Sequence, residues 1–114
     1  MVVCSNLARS KQFYGTILEL ALVTDASPRW AEFDLGDGRT LTLHPTSDSL
    51  AVRPGSVQLG FTVDDVDAFV TDAETAGVTV LQDPYQERSG RIAVIADPDG
   101  YPIQIATPAP SLQK

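Results

Sequence analysis

Apolar and polar positions along this chain alternate, switch to helical spacing, and alternate again. The same succession of periods then occurs a second time. Residues 1–4 read as a very short strand. Asn6 can accept a hydrogen bond from a first-turn amide, so it predicts a helix running to about Ile17. Leu7, Ser10, Tyr14 and Ile17 share one face of that helix, with Phe13 and Leu18 beside it. Strands are expected over residues 20–24, 29–35 and 40–44, with a turn at Ser27-Pro28 and a hairpin at Gly36-Asp37-Gly38. Trp30, Glu32 and Asp34 fall on one side of their strand and Ala31, Phe33 and Leu35 on the other. Thr40, Thr42 and His44 likewise oppose Leu41 and Leu43.

Residues 46–55 are rich in turn formers and have no period, so they read as a linker. The pattern then restarts. A strand is predicted over residues 57–63, and a helix capped by Asp64 or Asp65 and closed by Gly77 follows, with Val66, Phe69, Val70, Ala73 and Ala76 on its apolar side. Further strands are expected over residues 78–81, 91–96 and 101–106, with a loop over 83–90 and an Asp97-Pro98-Asp99-Gly100 turn. Residues 109–114 read as a frayed tail. Superposing the helix starts pairs Asn6 with Asp65, Cys4 with Val63, Val2 with Phe61, Leu41 with Ile103, Thr42 with Gln104 and Leu43 with Ile105. The fold class is therefore α+β, as one domain over residues 1–114. It comprises two tandem βαβββ modules, about 1–45 and 56–108, whose paired sheets surround a shared cleft.

Composition narrows the function classes. The formal charge is -7 over 114 residues, which disfavours nucleic acid and anionic membranes, since both select Lys/Arg surfaces. It is compatible with a cationic ligand. A single cysteine, Cys4, cannot form an intrachain disulfide, and this fits a reducing, cytoplasmic setting. Its Val-Val-Cys context reads as core packing rather than as a nucleophile. No apolar run approaches the length of a membrane span.

Candidate chemistry is sparse. Glu32 and Asp34, two residues apart on a strand, stand about 7 Å apart at Cα and could serve as an acid/base pair or simply solvate an exposed face. Gly36-Asp37-Gly38 lacks the helix and lysine of a phosphate loop. Ser5, Ser10 and Ser89 have no histidine nearby in sequence, so no catalytic triad is indicated. The cleft-facing candidates of the first module are Trp30, Glu32, Thr40, Thr42 and His44. Those of the second are Gln58, Gly60, Thr62, Gln104, Tyr85 and Arg91. An aromatic ring, amides and hydroxyls suit an organic ligand, and Trp30 can stack on a planar or cationic group or pack structurally.

Three segments carry a family resemblance. Ser5-Asn6-Leu7-Ala8-Arg9-Ser10-Lys11-Gln12-Phe13-Tyr14, Gly60-Phe61-Thr62-Val63-Asp64-Asp65-Val66-Asp67 and Asp97-Pro98-Asp99-Gly100-Tyr101-Pro102-Ile103-Gln104-Ile105 occur in this order across nearly the whole chain. Together they resemble the vicinal-oxygen-chelate superfamily of glyoxalase I, bleomycin-resistance proteins, fosfomycin-resistance transferases and extradiol dioxygenases. The resemblance implies a cleft that holds a divalent metal in catalytic members, with ligands on the first and last strands of each module. Those positions here are Thr42, Gln58 and Gln104, and the fourth maps two positions before Met1. An uncharged Gln/Gln/Thr set binds hard or borderline cations poorly. His44 with Glu32 or Gln104 would make only a non-standard site.

The resemblance thus implies a small-molecule binder of the bleomycin-resistance type. It would use Trp30, Glu32, Thr42, His44, Gln58 and Gln104, would need no cofactor, and would act as a homodimer on an organic ligand of aromatic or cationic character. The alternatives are a divergent metal-dependent lyase or dioxygenase, and a non-catalytic interaction module.

Overall fold

Both halves start from the same helix signature. In the computed structural model, which describes residues 1–109, helix α1 covers Leu7–Gln12 and helix α2 covers Val66–Thr75. The Asn6 side chain accepts from the Arg9 amide at 3.1 Å, and that of Asp65 accepts from the Ala68 amide at 3.1 Å. The caps have nearly identical backbones, φ -143° and ψ 101° at Asn6 against φ -144° and ψ 102° at Asp65. The pairing of Asn6 with Asp65 therefore holds at the level of cap geometry. Each cap satisfies an amide that the first helical turn leaves without an internal partner.

The helices end differently. Gly77, at φ 90°, closes α2: its amide donates to the Glu74 carbonyl at 3.0 Å and that of Val78 to Ala73 at 2.9 Å, the paired bonds of a Schellman motif. The first helix is regular only to Gln12 and then widens into a π-turn over Phe13–Ile17, where the Leu18 amide reaches the Phe13 carbonyl at 3.2 Å. The wider turn lets consecutive aromatics, Phe13 and Tyr14, both enter the core. Their rings meet edge to face at 5.1 Å, and Tyr14 lies 6.4 Å from the Phe33 ring.

Eight strands follow in the order β1 Val2–Cys4, β2 Ala21–Asp25, β3 Ala31–Gly36, β4 Arg39–Pro45, β5 Leu59–Thr62, β6 Val80–Glu87, β7 Gly90–Ala96 and β8 Pro102–Pro108. They form two four-stranded sheets of the same topology, β1-β4-β3-β2 and β5-β8-β7-β6. In each sheet the first strand pairs parallel with the last. Val2 lies beside Leu43, and Phe61 beside Ile105, so the repeat register expected from the sequence is realised. The backbone divides into two units, Met1–Arg53 and a second from Pro54 onward.

Each unit buries one sheet face under its own helix. Val2, Cys4, Phe33, Leu41 and Leu43 are buried in the first unit, and Val66, Val70, Ile95, Ile103 and Ile105 in the second. Ser10, on α1, is wholly buried, and its hydroxyl has no hydrogen-bond partner among the described residues. No helix among the described residues is long and apolar enough to cross a membrane.

Strand β6 runs further than its sequence pattern predicts. A loop was expected over 83–90, yet β6 runs through Pro84 and Tyr85 to Glu87. The strand lies at a sheet edge and its register shifts twice, between Val80 and Gln82 and between Gln82 and Tyr85. An edge strand with bulges tolerates a proline that a central strand would reject. The tail expected at 109–114 lies, from residue 110, outside the described residues.

Candidate functional site

Burying one face of each sheet leaves the face turned away from its own helix to carry the polar chemistry. In the first unit the register sets Glu32 beside Thr42 and Asp34 beside Thr40, and places Val3 beside His44. Glu32, Thr42 and His44 are half-buried, while Asp34 and Thr40 are exposed. Trp30 immediately precedes β3 and is also half-buried. Alternation from the buried Ala31 assigns it to the face of Glu32. His44 Nδ1 lies 2.8 Å from the Pro45 carbonyl. A carbonyl only accepts, so Nδ1 is the donor in this contact.

In the second unit the equivalent face has two cross-strand rows. One runs Gly60, Gln104, Val94, Gln82, and the other Thr62, Ala106, Ile92, Tyr85. Neither row contains a charged residue. Gln104 is half-buried, whereas Gln58 precedes β5 and is exposed. Thr42 and Gln104 therefore occupy equivalent central positions, but the strand neighbour of Thr42 is the carboxylate Glu32 and that of Gln104 is the apolar Val94.

Arg91, expected on this face, is on the other one. It shares the face of the buried Ala93 and pairs through Nε and Nη2 with Asp67 of α2, where Nη2 donates to Oδ1 at 2.9 Å. The Arg91 guanidinium holds the Asp67 carboxyl below its ordinary pKa, and Asp67 raises that of Arg91. Arg91 thus fastens the second helix to its sheet.

A polar cluster that short-range sequence pattern does not reveal holds the β2–β3 turn. Lys11 Nζ on α1 donates to Asp25 Oδ2 at 2.7 Å and to Ser27 Oγ at 2.9 Å. The Ser27 amide donates to Asp25 Oδ1 at 3.1 Å, and its hydroxyl donates to the same oxygen. These residues are 14 and 16 positions apart in the chain, beyond any helical or strand period. Hydrogen bonds from Lys11, then from the Ser27 hydroxyl and amide, lower the Asp25 pKa from 3.8 to about 2. Because the folded value lies below the unfolded one, the contribution of this carboxylate to stability is complete above pH 3.8 and is lost as pH falls through about 2. Carboxyl-detected NMR titration should place the Asp25 midpoint near 2 in the native chain and higher in Lys11→Met, and an unmoved midpoint would contradict the assignment.

The positions that the sequence resemblance matches to the family's metal ligands, Thr42, Gln58 and Gln104, carry uncharged side chains. Among the described residues no three His, Cys, Asp or Glu side chains are grouped to hold a metal ion. Glu32 pairs with Thr42, two residues along β4 from His44 on the same face. Uncharged amide and hydroxyl oxygens are weak donors to a divalent cation.

The description Glyoxalase/Bleomycin resistance protein/Dioxygenase superfamily matches residues 1–105. The chain is 30% identical over 112 residues to the phenazine antibiotic resistance protein EhpR of Enterobacter agglomerans, spanning 92% of this chain and 86% of that protein. TnmS3, an antibiotic binding protein from Streptomyces sp. CB03234, is 29% identical with a TM-score of 0.73, over 95% of this chain and 91% of that one. A glyoxalase/dioxygenase from Nostoc punctiforme is 28% identical with a TM-score of 0.77, over 95% of this chain and 87% of that one. The match over residues 1–105, carried on two βαβββ units of one topology, establishes that this chain belongs to the glyoxalase/bleomycin resistance protein/dioxygenase superfamily.

Proposed function

We propose that this protein binds and sequesters a small organic ligand without a metal, on the sheet faces turned away from the helices. The reading is carried by the uncharged side chains of Thr42, Gln58 and Gln104 at the positions that the sequence resemblance matches to the family's metal ligands. Side chains of this kind orient an organic ligand by hydrogen bonding and do not neutralise a cation. Similarity to an antibiotic binding protein and to a phenazine antibiotic resistance protein supports the same class.

In this reading Trp30 stacks on a planar group, and Glu32 supplies negative charge beside it. Thr42 and His44 supply hydrogen bonds on the first unit, and Gln58 and Gln104 supply them on the second. The ligand is aromatic and neutral or cationic. The protein works as a homodimer in the cytoplasm, as one domain of two modules. A thermal-shift panel tests the proposal. Proflavine, a planar tricyclic cation, and phenazine, its neutral counterpart in shape, should raise the melting temperature, while Ni²⁺, Zn²⁺, Mn²⁺ and Fe²⁺ should leave it unchanged. Stabilisation by a metal with none by either aromatic probe would overturn it.

A further inference from the structure

We infer that Lys11 is a positioning residue for Trp30, acting through Asp25 and Ser27 to hold the turn that presents the indole. This rests on the proposed role of Trp30 in binding. The route is continuous. Lys11 leaves α1 and donates to both Asp25 Oδ2 and Ser27 Oγ. Asp25 is the last residue of β2 and pairs with Ala31, the residue after Trp30. Between them the chain closes on itself: the Ala26 amide donates to the Trp30 carbonyl at 2.9 Å, and the Arg29 amide donates to the Ala26 carbonyl at 2.9 Å. Ser27, inside this turn, is bonded to Asp25 by its amide and its hydroxyl. One ammonium group on the helix therefore restrains both the start of the turn and the residue within it.

The position of the clamp makes it specific. Lys11 approaches from the helix side of the sheet, where Ala31 is buried, and Trp30 belongs to the opposite face. The ammonium can set the angle of the turn without occupying ligand space. Lysine and aspartate are only partly exposed at this contact, with 24% and 39% of their side-chain surface accessible. Two acceptors converge on one donor, so losing the ammonium releases both Asp25 and Ser27. The turn then keeps its backbone bonds but loses its tie to the helix, which frees Trp30 locally without unfolding the sheet.

Trp30 is the one tryptophan in the chain, so intrinsic fluorescence reports this position alone. Acrylamide quenching of the ligand-free protein should rise about twofold in Lys11→Met and in Asp25→Asn, as expected for loss of a partly exposed ion pair that gates a local opening. Lys11→Arg should restore most of the protection, because it keeps a cationic donor at the same place. Thermal unfolding of all three variants should stay close to that of the native chain, which separates positioning from general weakening. Unchanged quenching in Lys11→Met, or a rise seen only together with a large fall in melting temperature, would overturn the assignment. Because quenching is read without ligand, the clamp is tested independently of whether proflavine or phenazine binds.

Discussion

Replacing Gly90 with alanine is expected to destabilise the second unit by about 4 kcal/mol or more, among the largest effects a single methyl group can have. Two causes add. Gly90 opens β7 at φ 141°, a backbone conformation that costs an L-residue on the order of 1–3 kcal/mol. A Cβ at this position would also stand 2.2 Å from the Thr107 carbonyl oxygen and 2.9 Å from both the Ala109 nitrogen and the Pro108 Cα. These are all backbone atoms. Thr107 and Pro108 belong to β8, which pairs with β7 throughout this end of the sheet, so relief requires moving a paired strand and not a side chain. The melting temperature should fall by roughly 15 °C or more. Gly60→Ala is the matched control: Gly60 is also in a strand, but its added Cβ meets nothing within 4 Å. It should be neutral, or stabilise by about 0.5 kcal/mol through reduced backbone entropy. Equal effects of the two substitutions in thermal or urea unfolding would contradict the close approach of Gly90 to β8.

Trp30→Ala is expected to lower proflavine affinity by about thirtyfold, the equivalent of roughly 2 kcal/mol for a truncated aromatic anchor. Trp30 is half-buried, so its ring has an accessible face, and it is absent from the buried core of the first unit. Removing it should therefore cost binding far more than stability. Glu32→Gln should weaken proflavine but leave phenazine unaffected, because only the cation gains from the carboxylate. Equal loss for both probes would assign Glu32 a packing role, and intact proflavine binding in Trp30→Ala would remove the indole from the site.

The parts of this molecule that were legible in its sequence are those governed by local rules. Asn6 and Asp65 cap helices because a short polar side chain reaches amides three residues on, and that spacing is visible in a string of letters. Leu41 and Leu43 face inward, as Ile103 and Ile105 do, because alternation fixes the face once a strand is granted. The register of the repeat followed from the same logic. What escaped was decided by tertiary position. Pro84 reads as a strand breaker, and only the edge location of β6 lets the strand pass through it. Arg91 reads as a polar residue on an open face, but the approach of Asp67 from α2 assigns it to the covered side. Lys11, Asp25 and Ser27 carry no motif at all, since their meeting depends on the Lys11 side chain of α1 reaching the turn after β2. Glu32 and Thr42 were legible on the face opposite Ala31 and Leu43, because a sheet with a helix on one side leaves its other side open.

The proposed function turns on whether binding needs a metal. The direct measurement is calorimetric titration of proflavine into the native chain in excess EDTA, repeated after dialysis against Mn²⁺ and Ni²⁺. Metal-independent binding predicts the same dissociation constant in all three conditions. Binding that vanishes in EDTA and returns with metal would contradict it and restore the metal-dependent reading of the fold.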